Sequence, residues 1–177
     1  MAQVRLADGT VYSAWEEVVQ CLAALDVALV ALPLHEDHHL AELLARDVLD
    51  SGAKQAVVAA LSSHCHTLKQ STGYQWHDLL VLHPGTPLLH GLLKEYGQLH
   101  THRDDEALYV LSGECLFGIL TPEGDQIEVN VQVGEYLRIP AGSEHWFSVT
   151  ASLALKAMRY FKTADGWVAE HSYGRTR

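Results

Sequence analysis

From Asp78 onward, short apolar runs alternate with breakers. The runs cover 79–82, 108–111, 116–120, 127–133, 136–139, 146–149 and 153–161, and Gly, Pro, Asp and Ser separate them. Each is short, rich in branched or aromatic residues and bounded by turn formers, so each predicts a β-strand. The first part of the chain has a different rhythm. Residues 4–6 and 10–12 flank Ala7-Asp8-Gly9 and predict a hairpin. Ser13 with Glu16 reads as a capping box ahead of a helix whose apolar stripe is Val18, Val19, Leu22 and Leu25. An apolar run at 27–32 predicts a strand, and helical periodicity returns over 38–49 and 53–68 until Ser71-Thr72-Gly73 ends it. One more short helix is expected within 86–96. This order predicts a mainly β chain with N-terminal helices, an α+β arrangement in which helices decorate an antiparallel β-barrel. We expect one domain over 1–177, with 1–77 a mostly helical elaboration and 78–169 the barrel.

Composition narrows the partners. At 177 residues, 48% apolar and 19% charged, the chain can bury a sizeable core without disulfides. Cys21, Cys65 and Cys115 are an odd number at unrelated spacings, which predicts free thiols in a reducing compartment, the cytoplasm by default. No signal-like segment opens the sequence, and the apolar stretch 21–34, interrupted by Asp26, is too short to span a bilayer and belongs in a core. A formal charge of −10 disfavours nucleic acid and acidic membrane as partners. A small-molecule ligand is the expectation, with the chain a monomer or a weak homo-oligomer.

Four residues carry the candidate chemistry. His100 and His102 lie in His100-Thr101-His102-Arg103-Asp104-Asp105-Glu106, Glu106 closes that segment, and His145 follows Pro140-Ala141-Gly142-Ser143-Glu144. Residues two apart on a strand face the same way, so both early imidazoles can aim at one point. Three imidazoles and a carboxylate suit iron(II), nickel(II), manganese(II) or zinc(II), and a six-coordinate ion would keep two positions open. Other histidines lack this convergence. His35, His38 and His39 sit beside Glu36 and Asp37 and read as a solvated face, while His64 and His66 point to different sides of a helix. His83 and His90 have no partners in register, His77 and His171 read as ordinary surface or core histidines, and Asp104 reads as a solvated acid.

The quartet, with Gly113 after Glu106 and Gly134, Pro140 and Gly142 before His145, is similar to the two signature motifs of the cupin superfamily. Lys94 and Val149 depart from those motifs at positions that are not ligands. Gly73-Tyr74 with Asp78, the His-x-His segment, His145-Trp146-Phe147, Arg159-Tyr160-Phe161 and Gly166-Trp167-Val168-Ala169 together resemble the acireductone dioxygenases of methionine salvage. That resemblance implies a cupin-type barrel holding one iron(II) or nickel(II) ion through His100, His102, Glu106 and His145. It implies a substrate such as 1,2-dihydroxy-3-keto-5-methylthiopentene, cleaved with dioxygen to formate and a keto acid by the iron form and with release of carbon monoxide by the nickel form. By the same resemblance Asp105 would be a base and Trp167 an aromatic beside the substrate tail. Strand parity puts Phe147 beside His145 and Leu108 on the inner wall with Glu106, so both are expected to face the substrate, as is Tyr96. Arg159 on an apolar strand face needs an anionic partner and is the second catalytic candidate. Two positions differ from the family: Leu99 and Leu108 stand where Glu and Arg are usual. The alternatives are a cupin dioxygenase for a different enediol or diketone, and a metal-binding cupin without enzymatic activity.

Overall fold

The computed structural model describes residues 1–34 and 36–171; the candidate His35 lies outside the described residues, as does the side chain of His64. The elements follow in chain order. Strands β1 (Gln3–Arg5) and β2 (Val11–Tyr12) precede helix α1 (Trp15–Ala23), and β3 (Ala28–Ala31) follows it. Helices α2 (His38–Leu44), α3 (Ser51–Ala60) and α4 (Ser62–Thr72) come next, then β4 (Trp76–Leu82) and α5 (Leu89–Tyr96). The remainder is strand: β5 (His100–Thr101), β6 (Glu106–Leu120), β7 (Gln126–Gln132), β8 (Glu135–Ile139), β9 (His145–Val149), β10 (Leu155–Phe161) and β11 (Glu170–His171).

The helices differ from their sequence pattern where local bonds decide. Ala14, extended at φ −72° and ψ 132°, is the N-cap of α1 and no side chain caps it, so the expected Ser13–Glu16 box does not form. Ser13 lies one residue too early to reach the free amides. Asp37 and Asp50 cap instead: Asp37 accepts from His39 N at 2.9 Å and Leu40 N at 3.1 Å, and Asp50 from Ala53 N at 2.7 Å. Each such cap is worth about 1 kcal/mol. Because Asp50 starts a new helix, the periodicity expected over 38–49 stops at Leu44. The helix expected over 53–68 is two helices meeting at Leu61, which leaves helical geometry at φ −96° and ψ 8° and buries its side chain.

Two runs expected as separate strands, 108–111 and 116–120, are one strand, β6. Gly113, at φ 78°, bends it, and a Cβ there would lie 2.2 Å from the Ala154 carbonyl oxygen. Only glycine tolerates both the left-handed backbone and the close approach. The N-terminal half of β6 pairs antiparallel with β8 and β10, and its C-terminal half with β7 and β9. Two layers result. One runs β11-β5-β9-β6-β7-β1-β2, and the other adds β4 outside β10 and β3 outside β8. The sheet folds over itself through β6 without closing. Strands β1, β2 and β3, from the N-terminal part, are integral members of it.

Two cores flank the second layer. Between the layers pack Leu108, Val110, Phe117, Ile119, Val129, Leu137, Ile139 and Phe147. On the outer face, Tyr109, Leu111, Tyr136, Met158 and Tyr160 pack against Leu40, Leu43, Val57 and Leu61 of the helices. Strands covered on both faces need apolar residues at every position, which explains the unbroken run in β6. By contrast β7, covered on one face, alternates buried Ile127, Val129 and Val131 with less buried polar neighbours. The three cysteines are free thiols, Cys65 Sγ lying 3.6 Å from the Tyr160 hydroxyl. No helix among the described residues is long and apolar enough to cross a membrane.

Candidate metal centre and adjoining cavity

Strand β5 is only two residues long, yet it is held on both sides. His100 pairs in register with His145 of β9 and with His171 of β11. Cross-strand neighbours on one face bring side chains together, and the rings of His100 and His145 lie 4.6 Å apart between centroids. His102 stands just past the end of β5, its ring 5.0 Å from that of His100 and 5.3 Å from that of His145. Glu106 opens β6. One nitrogen or oxygen from each of the four residues falls within 4.8 Å of all the others.

Each ring is fixed from behind. The Nδ1–H of His100 donates to the Gln98 carbonyl at 2.8 Å, that of His102 to the Val168 carbonyl at 3.0 Å and that of His145 to the Ser143 carbonyl at 2.8 Å. All three Nε2 atoms therefore turn inward, as in metal sites where an outer hydrogen bond sets the tautomer. Glu106 Oε2 lies 2.7 Å from His145 Nε2 and 3.6 Å from His102 Nε2. His100 Nε2 is buried and meets no hydrogen-bond partner. A buried lone pair without a partner costs stability, and a dication among three nitrogens and a carboxylate would satisfy all four groups. The residues present fit one metal ion.

The electrostatics agree with that reading. Burial pushes His100 down to about 4 and also lowers His102, so both rings are neutral near pH 7 with lone pairs available. Burial works against the Glu106 carboxylate, but the His145 hydrogen bond and the surrounding imidazoles overcome it and hold the group at about 2. Burial likewise opposes charge on His145, and the Glu106 contact outweighs it, raising that ring.

Glu106 also borders a cavity of about 160 Å³, lined further by Leu80, Leu92, Tyr96, Leu108, Phe147, Arg159 and Trp167. The four expected substrate-facing residues and Arg159 thus meet at one place. Arg159 is the cation of this lining, and β4 supplies its counter-charge: Nε donates to Asp78 Oδ1 at 2.9 Å and Nη2 to Asp78 Oδ2 at 2.5 Å, Asp78 being its cross-strand partner. The guanidinium also lies 5.6 Å from the Phe161 ring centre. The Tyr96 ring meets His100 edge-on at 5.6 Å, linking α5 to the metal centre.

Asp105 is placed elsewhere. One residue before Glu106, it turns away from the cavity; its carboxylate accepts from Ala141 N at 3.1 Å and Lys162 Nζ at 3.0 Å, with Arg138 Nη1 at 3.8 Å. Asp104, expected to be solvated, is half-buried and bonded to Thr163. The carbonyl anchors of Gln98, Ser143 and Val168 carry no sequence signal, because any residue type presents a carbonyl. Leu80 and Leu92 were equally silent, apolar positions among many. His171, whose ring lies 5.9 Å from that of His100, becomes a neighbour of the centre only through the β5–β11 pairing. The exposed His38 pairs with Glu42 at 3.5 Å, and no second cluster of three or more ligand-type residues forms among the described residues.

Gly118 protects the placement of His145. It lies opposite Trp146, and a Cβ on Gly118 would come within 1.9 Å of the indole Nε1. Gly118→Ala should displace Trp146 and with it the start of β9, lowering stability by about 1–3 kcal/mol. Thermal denaturation checks this, and an unchanged melting temperature would show that the indole has room to move.

Comparison with known proteins agrees with the geometry. The sequence model of the ARD/ARD' family matches residues 36–169. Acireductone dioxygenase of Nostoc sp. is 44% identical over 172 residues, covering 97% of this chain and 94% of that protein. The enzyme of that name from Trichodesmium erythraeum is 37% identical over the same length, covering 97% and 95%. A solved structure, acireductone dioxygenase from Bacillus anthracis with a cadmium ion in its active centre, superposes with a TM-score of 0.87 at 26% identity, covering 97% of this chain and 98% of that one. The fold, the buried three-histidine and glutamate centre and likeness over nearly the whole length converge: this chain belongs to the ARD/ARD' family, whose similar members are the acireductone dioxygenases.

Proposed function

We propose that this protein is a metal-dependent dioxygenase that cleaves an acireductone with dioxygen, as its relatives' names indicate, and that its resident ion is one iron(II) or nickel(II) per chain. The observation that carries the reading is the junction at Glu106, a residue that both completes the candidate metal centre and borders the cavity beside it. His100, His102, Glu106 and His145 would hold the ion. The bound metal would supply Lewis-acid stabilisation of the deprotonated, electron-rich enediol that reacts with dioxygen.

The chain's own residues do the rest. Arg159, held by Asp78, presents a fixed positive charge to the cavity and favours an anionic substrate there. Leu80, Leu92, Leu108 and Phe147 exclude water around the reacting carbons and suit an apolar tail, the methylthio group of the family's substrate being one such tail. Trp167 forms a further wall. Asp105, engaged by Lys162 and the Ala141 amide, serves in this proposal by fixing the turn before β6 rather than by taking a proton from substrate. Free thiols and a charge of −10 fit a cytoplasmic enzyme acting on a small molecule, with neither nucleic acid nor membrane as partner.

Leu108 favours a second reading, an enediol of different side chain, because it puts an apolar group where the family usually places arginine. Metal-free protein reconstituted separately with iron(II) and nickel(II) decides between them. With the methylthio acireductone, the iron form should consume dioxygen and release formate and a keto acid, and the nickel form should release carbon monoxide. Faster turnover of an acireductone with another tail would favour the second reading. No oxygen uptake with any acireductone and either metal would overturn both.

A further inference from the structure

Residues 163–171 lie across the turn that carries His102 and Glu106, and side chains outside the ligand set fasten them, Asp104 at their start. Asp104 Oδ2 accepts from Thr163 N at 2.7 Å and from Thr163 Oγ1 at 2.8 Å. Gly166 packs so closely that a Cβ on it would stand 2.1 Å from the same oxygen. From there two turns, Gly166 N to Thr163 O at 3.3 Å and Val168 N to Asp165 O at 3.0 Å, lead the chain to Trp167 and Val168. Trp167 lines the cavity, and the Val168 carbonyl accepts the Nδ1–H of His102. Farther along, Glu170 pairs with Arg103 and β11 pairs with β5.

We infer that Asp104 is a positioning residue that, by holding the Thr163–Val168 turns, sets the metal affinity of His102 and the closure of the cavity by Trp167. Its carboxylate touches neither the ligand atoms nor the cavity. It acts through the backbone, where one anchored oxygen holds both the carbonyl that orients a ligand ring and the aromatic wall beside the substrate's place. The metal-affinity part stands on geometry alone; the closure part rests on the proposed function.

The test compares Asp104→Ala with Asp104→Asn in the full-length chain. Asparagine keeps an oxygen that can accept both Thr163 bonds; alanine keeps none. Zinc affinity, read by competition with a chromophoric chelator, should fall at least about tenfold in Asp104→Ala, the scale of lost outer hydrogen bonds at metal sites, and stay near wild type in Asp104→Asn. Gly166→Ala, which drives the turn off Asp104, should weaken zinc in the same direction and serves if Asp104→Ala does not fold. Val57→Ala, a packing loss in the distant helical layer, should lower the melting temperature without moving zinc affinity. On an acireductone with a long apolar tail, Asp104→Ala should raise KM more than it lowers kcat. Wild-type zinc affinity in both Asp104→Ala and Gly166→Ala, or equal loss in Asp104→Ala and Asp104→Asn, would overturn the inference. If the wild-type protein turns over no acireductone, the proposed function falls, and the zinc measurements still judge Asp104.

Discussion

Replacing His145 by alanine should remove nearly all bound metal and all turnover, the largest functional effect of any single change in this chain. The ring is almost completely buried and its Nε2 lies 2.7 Å from Glu106 Oε2. Its loss takes one of four donors from the centre and also strands the glutamate. With its hydrogen-bonding partner gone, the carboxylate now held at about 2 is left against the desolvation that opposes its charge. Breaking a buried pair by removing one member costs about 3–5 kcal/mol, so the metal-free variant should also melt lower than metal-free wild type. His102→Ala should lose metal in the same way. His38→Ala is the control: its side chain is 89% exposed, and metal content and rate should stay at wild type. Elemental analysis after purification reads the outcome, and full metal occupancy in His145→Ala would refute the assignment.

Leu108→Arg should have the largest effect on stability. The leucine is 1% exposed, lines the cavity and lies opposite Arg159 across the β6–β10 pair. An added guanidinium would be buried beside a like charge whose carboxylate partner, Asp78, is already engaged in two bonds. A loss of a few kcal/mol is expected for a buried cation without its own partner. The family's usual pattern has Glu at the position of Leu99 together with Arg at that of Leu108. If those two act as a pair, Leu99→Glu with Leu108→Arg should recover much of the lost stability and raise kcat/KM toward the methylthio acireductone. A double-mutant cycle by thermal melt and oxygen uptake measures the coupling. Additive losses would mean that the apolar wall is adapted to a different side chain.

The four residues of the candidate metal centre and most of the strands were legible in the sequence alone. Metal chemistry restricts which residue types can serve, so a His-x-His, a glutamate and a later histidine stood out from other apolar or solvated histidines. Strands such as β7, covered on one face, write their burial into a period of two. The tertiary structure decided what depends on partners distant in the chain. That β6 is one bent strand rather than two follows from Gly113 meeting the Ala154 carbonyl, a contact the local pattern cannot express. Leu61 divides a continuous helical periodicity, and its side chain is buried in the core between the helices and the second layer. Asp104 and Asp105 are adjacent acids with the same local signal. One fastens the turns beneath Trp167 and the other faces Lys162, because strand direction and the return of residues 163–171 set their neighbours. The three carbonyls that orient the histidines belong to backbone, which side-chain identity does not encode; only the folded path of the chain brings them behind the rings.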